Sequence, residues 1–130
     1  MSALGKVYDI QSLFRRLNDR YFEGRIEAEV SWSARKPSAA RRSILLGSYQ
    51  AQKKKITLSK RLDRPDIPLF FVEYVLFHEM LHALFPAEKH RMHSSKFRHY
   101  EKIFPDYERA LQWEKENISL LMRPTQQSLF

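Results

Sequence analysis

The chain has 130 residues, of which 43% are hydrophobic and 13% aromatic, and its formal net charge at pH 7 is +8. A chain of this size suits one compact domain, so we expect a single domain over residues 1–130, with a core at about 8–123 and a frayed tail at 124–130. The sequence contains no cysteine, which excludes disulfides, a cysteine nucleophile and cysteine-ligated zinc. Any transition-metal site must therefore be built from His, Asp and Glu side chains.

The first part of the chain predicts one helix followed by three strands. Apolar residues recur at helical spacing over residues 8–22, where Asp9 can cap the start and Gly24 follows the end. Alternation of apolar and polar residues then predicts strands over residues 28–32, 43–49 and 55–59.

The second part of the chain predicts three helices. The first spans about residues 67–85, with Asp66 as its predicted N-cap and Pro86 beyond its end. A second helix is expected near residues 94–104, and a third from Pro105 to about residue 123. The order of one helix, three strands and three helices is typical of an α+β domain.

No part of the chain resembles a targeting or membrane segment. The N-terminal sequence MSALGKVYDI lacks the long apolar run of a signal peptide, and no stretch approaches transmembrane length. The longest apolar streak, PLFFVEYVLFHEMLHALF, contains two glutamates and two histidines, so we interpret it as a buried core helix. With the absence of cysteine, these features predict a cytoplasmic protein without a membrane partner.

The positive charge is concentrated between residues 35 and 64, which contain ten Lys or Arg residues and one acidic residue. The rest of the chain has 13 basic and 14 acidic residues. Such a basic segment indicates a surface for an acidic partner, with nucleic acid as the first candidate. The alternative is a solvated face, in which lysines protect an exposed strand edge.

Two histidines lie four residues apart in the sequence HEMLH, residues 78–82. On a helix this spacing places His78 and His82 one above the other, where they can bind one metal ion. Glu79 lies about 100° round the helix from His78, close enough for its carboxylate to accept a proton from a water molecule at the metal. Hydrolytic zinc sites need this combination, so we predict Zn²⁺ at His78 and His82 with Glu79 as catalytic base.

Catalytic zinc usually has a third protein ligand. The downstream candidates are Glu88, His90, His93, His99, Glu101 and Asp106. If the next helix begins near His93, His93 lies on its apolar face, whereas His99 lies about 120° away, toward solvent. We therefore predict His93 as the third ligand. Glu101 is the competitor, and it can instead be a hydrogen-bond partner of a ligand.

These segments resemble the SprT-like family of zinc metallopeptidases. The resemblance extends in order over about residues 8–104, through LFRRLNDRYFEGRI, VSWS, LLGSY, ITLSKRL, VLFHEMLHALF and HSSKF. It implies a minimal zincin-like α+β domain, with a small sheet of three or slightly more strands packed on the HEMLH helix. It also implies that His78, His82 and His93 bind zinc and that Glu79 is the catalytic base.

The chain departs from the family pattern in two places. Ser94 replaces the glycine that is common after the third histidine, and the cysteine-based zinc ribbon that follows the peptidase domain in many members is missing. The segment FPDYERALQWEKEN is more similar to a related group of small predicted metal-dependent hydrolases.

The predicted function is zinc-dependent hydrolysis of a protein or peptide substrate, with DNA-associated proteins as one candidate class. An edge strand at residues 43–49 or 55–59 could align the substrate chain by strand addition. Tyr49, His90 and Tyr100 are candidates for stabilising the oxyanion. Two alternatives stay open: a small zinc hydrolase of a non-protein substrate, and a nucleic-acid-binding module with structural zinc.

Overall fold

A computed structural model of the chain describes residues 2–33, 46–85 and 93–122. Over these residues the fold is α+β, as predicted, with five α-helices, a three-stranded sheet and a short 3-10 turn at Lys60–Leu62. The helices are α1 (Ile10–Tyr21), α2 (Leu69–Leu84), α3 (Ser95–Glu101), α4 (Tyr107–Glu116) and α5 (Ile118–Leu121). The strands are β1 (Glu29–Trp32), β2 (Gly47–Gln50) and β3 (Lys55–Leu58).

The sheet has the strand order β1-β3-β2, so β3 lies in the middle. It pairs in parallel with β1, where Val30 is opposite Ile56, and antiparallel with β2, where Gly47 is opposite Leu58. Of the two strands predicted as possible edges for a substrate, β3 is therefore excluded, because both of its sides are already hydrogen-bonded. Among the described strands, β2 is the edge strand that meets α2.

The hydrophobic core lies between the sheet and the helices. One face of α1 is buried through Ile10, Leu13, Phe14 and Leu17, the spacing that predicted the helix. The second helix, α2, packs against α1, β2 and β3 as well as α3 and α4. It is thus the central helix of the fold, and it carries the HEMLH sequence.

The helix ends follow local chemistry at some positions and not at others. Asp9 caps α1 as predicted, because its carboxylate accepts hydrogen bonds from two backbone N–H groups of the first turn. The predicted cap Asp66 is wrong: α2 starts after Pro68, and Asp66 instead pairs with Arg64 at 3.5 Å. The residue before a proline is sterically kept from the helical region, so Ile67 cannot begin the helix.

The predicted last helix is two helices. It is interrupted at Asn117, whose backbone leaves the helical region and whose side-chain amide donates to the carbonyl oxygen of Trp113 at 2.8 Å. Side-chain hydrogen bonds of this kind compete with the helical backbone pattern. As a result α4 ends at Glu116, and the short α5 follows.

Two arginines of the predicted basic surface are buried instead. Arg61 and Arg64 are 3% and 9% exposed, and their guanidinium groups donate to the carbonyl oxygens of Leu121 and Leu120 at 2.8 and 2.9 Å. Cations stabilise the last carbonyl groups of a helix, so these residues fasten the end of α5. Their charges therefore stabilise the fold and are not part of an exposed basic surface. Residues 35–45 of the same segment lie outside the described residues.

No helix in the described part of the chain is long and apolar enough to cross a bilayer.

Candidate metal centre

His78 and His82 lie one turn apart on α2, with their ring centroids 5.0 Å apart. The helix forms here because its residues are mostly apolar and buried and include no Gly or Pro. Both histidines are only partly buried, unlike their neighbours Phe77, Met80 and Leu81. The core therefore fixes the helix, and the two imidazoles project from its remaining face.

His93 reaches this pair from the segment just before α3. The helix is capped by Ser94, whose hydroxyl accepts from the N–H of Phe97 at 3.1 Å. Phe97 is fully buried, and its ring lies 4.6–5.0 Å from the rings of all three histidines. The helix was predicted from about residue 94, and α3 starts at Ser95, so His93 lies just before it. Nevertheless, Phe97 docks α3 on α2 so that His93 faces the other two histidines.

One ring nitrogen of each of the three histidines lies within 4.8 Å of the others, so the cluster could hold a metal ion. The Nε2 atoms of His82 and His93 are 3.3 Å apart. Two imidazoles on one tetrahedral zinc ion have nitrogen atoms about 3.3 Å apart, given the usual Zn–N bond length. The arrangement therefore fits a zinc-sized ion, and within the described residues no other group of three such side chains is this close.

The electrostatics favour neutral imidazoles at His82 and His93. Burial, together with the charges of His78 and His93, lowers the pKa of His82 to about 4, against an opposing effect of Glu101. Burial and the charge of His78 also lower the pKa of His93. Near neutral pH both rings are therefore unprotonated and keep a lone pair, which is the form that binds a metal ion.

Glu79 lies on the side of α2 that faces the sheet, and it is buried. Burial raises the pKa of its carboxyl to about 7, against an opposing effect of His78. The side chain packs directly on Gly47 of β2. A Cβ atom added at Gly47 would lie 3.0 Å from Cγ and 3.1 Å from Oε2 of Glu79. Because Gly47 has no side chain, the carboxylate of Glu79 has room to lie against β2.

The chain matches the family model described as SprT-like family over residues 10–116, which is most of its length. This chain belongs to the SprT-like family. The family is generally metallopeptidase-like and associated with zinc, in agreement with the histidine cluster. A search of curated proteins finds no match.

In this SprT-like chain Glu101 is not part of the group of three histidines. Its carboxylate instead contacts the ring of His78. Its Oε2 atom lies 2.5 Å from Nδ1 of His78 and accepts a hydrogen bond from the hydroxyl of Tyr74 at 3.1 Å. Burial raises the pKa of Glu101, but the hydrogen bonds and charge of its neighbours outweigh this, so the net pKa is lowered. The structure thus places Glu101 as the hydrogen-bond partner that the sequence analysis gave as its other possible role.

The other candidate ligands lie elsewhere or outside the described residues. His99 is exposed, as expected. Asp106 forms an ion pair instead, with its Oδ1 atom 3.7 Å from Nη1 of Arg109. Glu88 and His90 are outside the described residues. Of the candidates for stabilising the oxyanion, Tyr100 packs its ring against Phe85, and Tyr49 packs against the core.

Sequence analysis missed Gly47 and Tyr74. A glycine inside the predicted strand LLGSY is a signal that another group approaches the backbone closely, and Glu79 is that group. Tyr74 lies four residues before His78, so its place on the same face of α2 could have been predicted. Its contact with Glu101 could not, because that contact depends on how α3 docks.

Proposed function

We propose that this SprT-like chain is a zinc-dependent metallopeptidase in which His78, His82 and His93 bind Zn²⁺ and Glu79 is the general base. The observation that carries the proposal is the convergence of three ring nitrogens within 4.8 Å, next to a buried carboxyl on the same helix. Family membership supports the same activity.

When bound, Zn²⁺ would polarise the scissile carbonyl and make a water molecule more acidic. Glu79 accepts a proton from the attacking water as its oxygen bonds to the carbonyl carbon, and then gives that proton to the amine as the C–N bond breaks. A general base works best with a pKa near the working pH, and burial brings the pKa of Glu79 to about 7. His82 and His93 contribute neutral rings, which can hold a cation without first losing a proton.

A peptide fits this site better than a small molecule because of β2. Within the described residues one side of this edge strand has no strand paired to it, and its first residue, Gly47, lies against Glu79. An extended substrate chain could form backbone hydrogen bonds with β2, which would bring a peptide bond to the carboxylate. DNA-associated proteins are a narrower proposal, supported by the basic segment alone.

The test is hydrolysis of an unfolded protein by the zinc-loaded enzyme, with new amino termini identified by mass spectrometry. We expect about one zinc ion per chain and cleavage that a chelator stops. Glu79→Gln should keep the zinc and lose about 10²–10⁴-fold in rate, because the amide cannot accept the proton. Glu108→Gln, an exposed change on α4, is the matched control. Cleavage by Glu79→Gln at the wild-type rate would refute the assignment of the base.

A further inference from the structure

Two rows of side chains at four-residue spacing face each other across α2 and α3. The first row consists of Tyr74, His78 and His82, and the second of His93, Phe97 and Glu101. The rows run in opposite directions, since Glu101 meets the start of the first row and His93 meets its end. Within each helix this spacing matches one turn, so the members on α2 share one face, as do Phe97 and Glu101 on α3. His93 lies just before α3, and its ring packs on Phe97 with the centroids 4.6 Å apart.

Glu101 ends the second row and contacts two members of the first. Both contacts use the same oxygen: Oε2 lies 2.5 Å from Nδ1 of His78 and 3.1 Å from the hydroxyl of Tyr74. The side chains of His78 and Glu101 are 25% and 13% exposed, so little water competes for this contact. A carboxylate can only accept hydrogen bonds, so in the neutral ring of His78 the proton is on Nδ1 and Nε2 keeps the lone pair.

Tyr74 is itself held rigidly. It is 8% exposed, and its ring lies within 5.9–6.3 Å of the rings of Phe71, Phe104 and Tyr107. Its hydroxyl can therefore serve as a fixed donor that holds the Glu101 carboxylate in one orientation. Three elements converge here, because Tyr74 is on α2, Glu101 ends α3, and Tyr107 begins α4.

We propose that Glu101 is a positioning residue for His78, which fixes the ring orientation and the tautomer that binds the metal, and that Tyr74 acts through Glu101. This inference rests on the proposed function, because it takes His78 to be a metal ligand. Hydrogen-bond partners of metal-binding histidines typically change metal affinity by 10–100-fold when they are removed.

The first experiment measures the affinity of the full chain for Zn²⁺ by competition with a chromogenic chelator. We expect Glu101→Gln to bind zinc about 10–100-fold more weakly, and Tyr74→Phe to lose affinity in the same direction but less. Two control variants should bind like wild type: Glu108→Gln on α4, and Tyr21→Phe, whose ring packs in the core against Phe77. Circular dichroism of each metal-free variant checks that the fold is retained.

The second experiment separates positioning from a general structural effect. If Tyr74 acts through Glu101, adding Tyr74→Phe to Glu101→Gln should cause almost no further loss of zinc affinity, whereas two independent effects would add. Co²⁺ bound in place of zinc gives a visible spectrum that reports its ligands. The intensity of the Glu101→Gln spectrum should indicate the same number of ligands as in wild type, because the same three ring nitrogens hold the ion.

Each contrary outcome overturns the inference. Unchanged zinc affinity in Glu101→Gln would show that Glu101 does not position His78, even if the wild type binds zinc and cleaves peptides. A Co²⁺ spectrum whose intensity indicates a lost ligand in Glu101→Gln would make Glu101 a direct ligand, and additive losses would make Tyr74 an independent structural residue. Wild-type protein that binds no zinc would instead refute the proposed function, and this inference with it.

Discussion

The two helices that form the candidate site are held by different parts of the protein. Of the 16 residues of α2, nine are buried, and the helix packs against the sheet and three other helices. Of the seven residues of α3, only Phe97 is buried, and the helix packs mainly on α2. Because each buried large apolar side chain contributes about 1.5–3 kcal/mol, the core fixes α2 far more firmly than α3.

The side chains of the two halves of the site are therefore held in place by different contacts. The core positions His78, Glu79 and His82 whether or not a ligand is present. His93 and Glu101 are positioned largely by their contacts within the site, together with Phe97, the one buried residue of α3. Metal binding should therefore stabilise the docking of α3 more than it stabilises α2.

The largest expected effect comes from His93→Ala, which removes a ligand from the weakly held half. Zinc at about a thousand times its dissociation constant should stabilise the wild type by about 4 kcal/mol, and His93→Ala should lose this stabilisation. Without metal, the two proteins should differ little in stability, since His93 is partly exposed and lies before α3. Unfolding in denaturant with zinc or with chelator measures both quantities.

The control for this change is His99→Ala, which replaces an exposed histidine on α3. It should keep the full stabilisation by zinc. The third-ligand assignment is wrong if His93→Ala keeps its zinc while Glu101→Ala loses it. A large loss of metal-free stability in His93→Ala would instead contradict the view that the core does not depend on α3.

The second prediction concerns Glu79, the carboxyl group buried on α2, and the pH dependence of protein stability. Burial raises the pKa of Glu79 to about 7 in the folded protein, from about 4.5 for an unburied carboxyl. The folded state then binds this proton more tightly than the unfolded state, so the stability due to this group is lost as pH rises from about 4.5 through 7. Glu79→Gln has no charge to bury, and its stability relative to wild type should increase with pH.

For metal-free protein we expect this advantage of Glu79→Gln to grow by about 2 kcal/mol between pH 5 and pH 8. Urea unfolding in the presence of chelator at the two pH values gives the number. The titration of His82 and His93 is common to both proteins and cancels in the difference. A stability difference that does not change with pH would mean that the carboxyl is solvated, and that α2 fixes Glu79 less firmly than its burial indicates.

The same division explains what the sequence could predict. The pair His78 and His82 was predictable because helical periodicity alone sets their relative position, and the cap at Asp9 because it depends on its own first turn. The α+β class followed from the order of the elements. Each of these features is decided within a few residues of chain.

The features that could not be predicted depend on distant parts of the chain. Arg61 and Arg64 look like surface charges in the sequence, yet they bind carbonyl groups 60 and 56 residues away. The central place of β3 depends on which strand meets β1, which alternation does not specify. The helix predicted near residues 94–104 starts at Ser95 but already ends at Glu101.

The third prediction tests the contact between the sheet and the firmly held half. In Gly47→Ala the new methyl group would lie 3.0–3.1 Å from the side chains of Glu79 and Leu58, so the carboxylate must move. We expect about a tenfold loss of turnover, since small displacements of catalytic groups are costly, and unchanged zinc affinity. Ser48→Ala is the control, because its side chain is on the opposite face of β2. Normal turnover in Gly47→Ala would show that Glu79 is not confined by β2.

The smallest effect is expected in a third region, the turn between β2 and β3. Lys53 and Lys54 are exposed there, and Lys55 is partly exposed. With Arg61 and Arg64 buried, these lysines carry much of the described positive charge of the basic segment. Each phosphate contact releases counterions, so DNA affinity should fall with salt and depend little on sequence.

Changing all three lysines to Glu should weaken DNA binding and lower the dependence of log affinity on log salt by up to about three units. Fluorescence anisotropy with one duplex at low and moderate salt measures both effects. The matched control changes three exposed cations outside the segment, Lys6, Arg15 and Arg20, to Glu, so the net charge is the same. An equal loss in both variants would assign the binding to net charge, not to this turn. Wild-type protein without salt-sensitive binding would leave the lysines as a solvated turn. The proposed zinc-dependent hydrolysis would be unaffected by that result, because the residues proposed for it lie on α2 and just before α3.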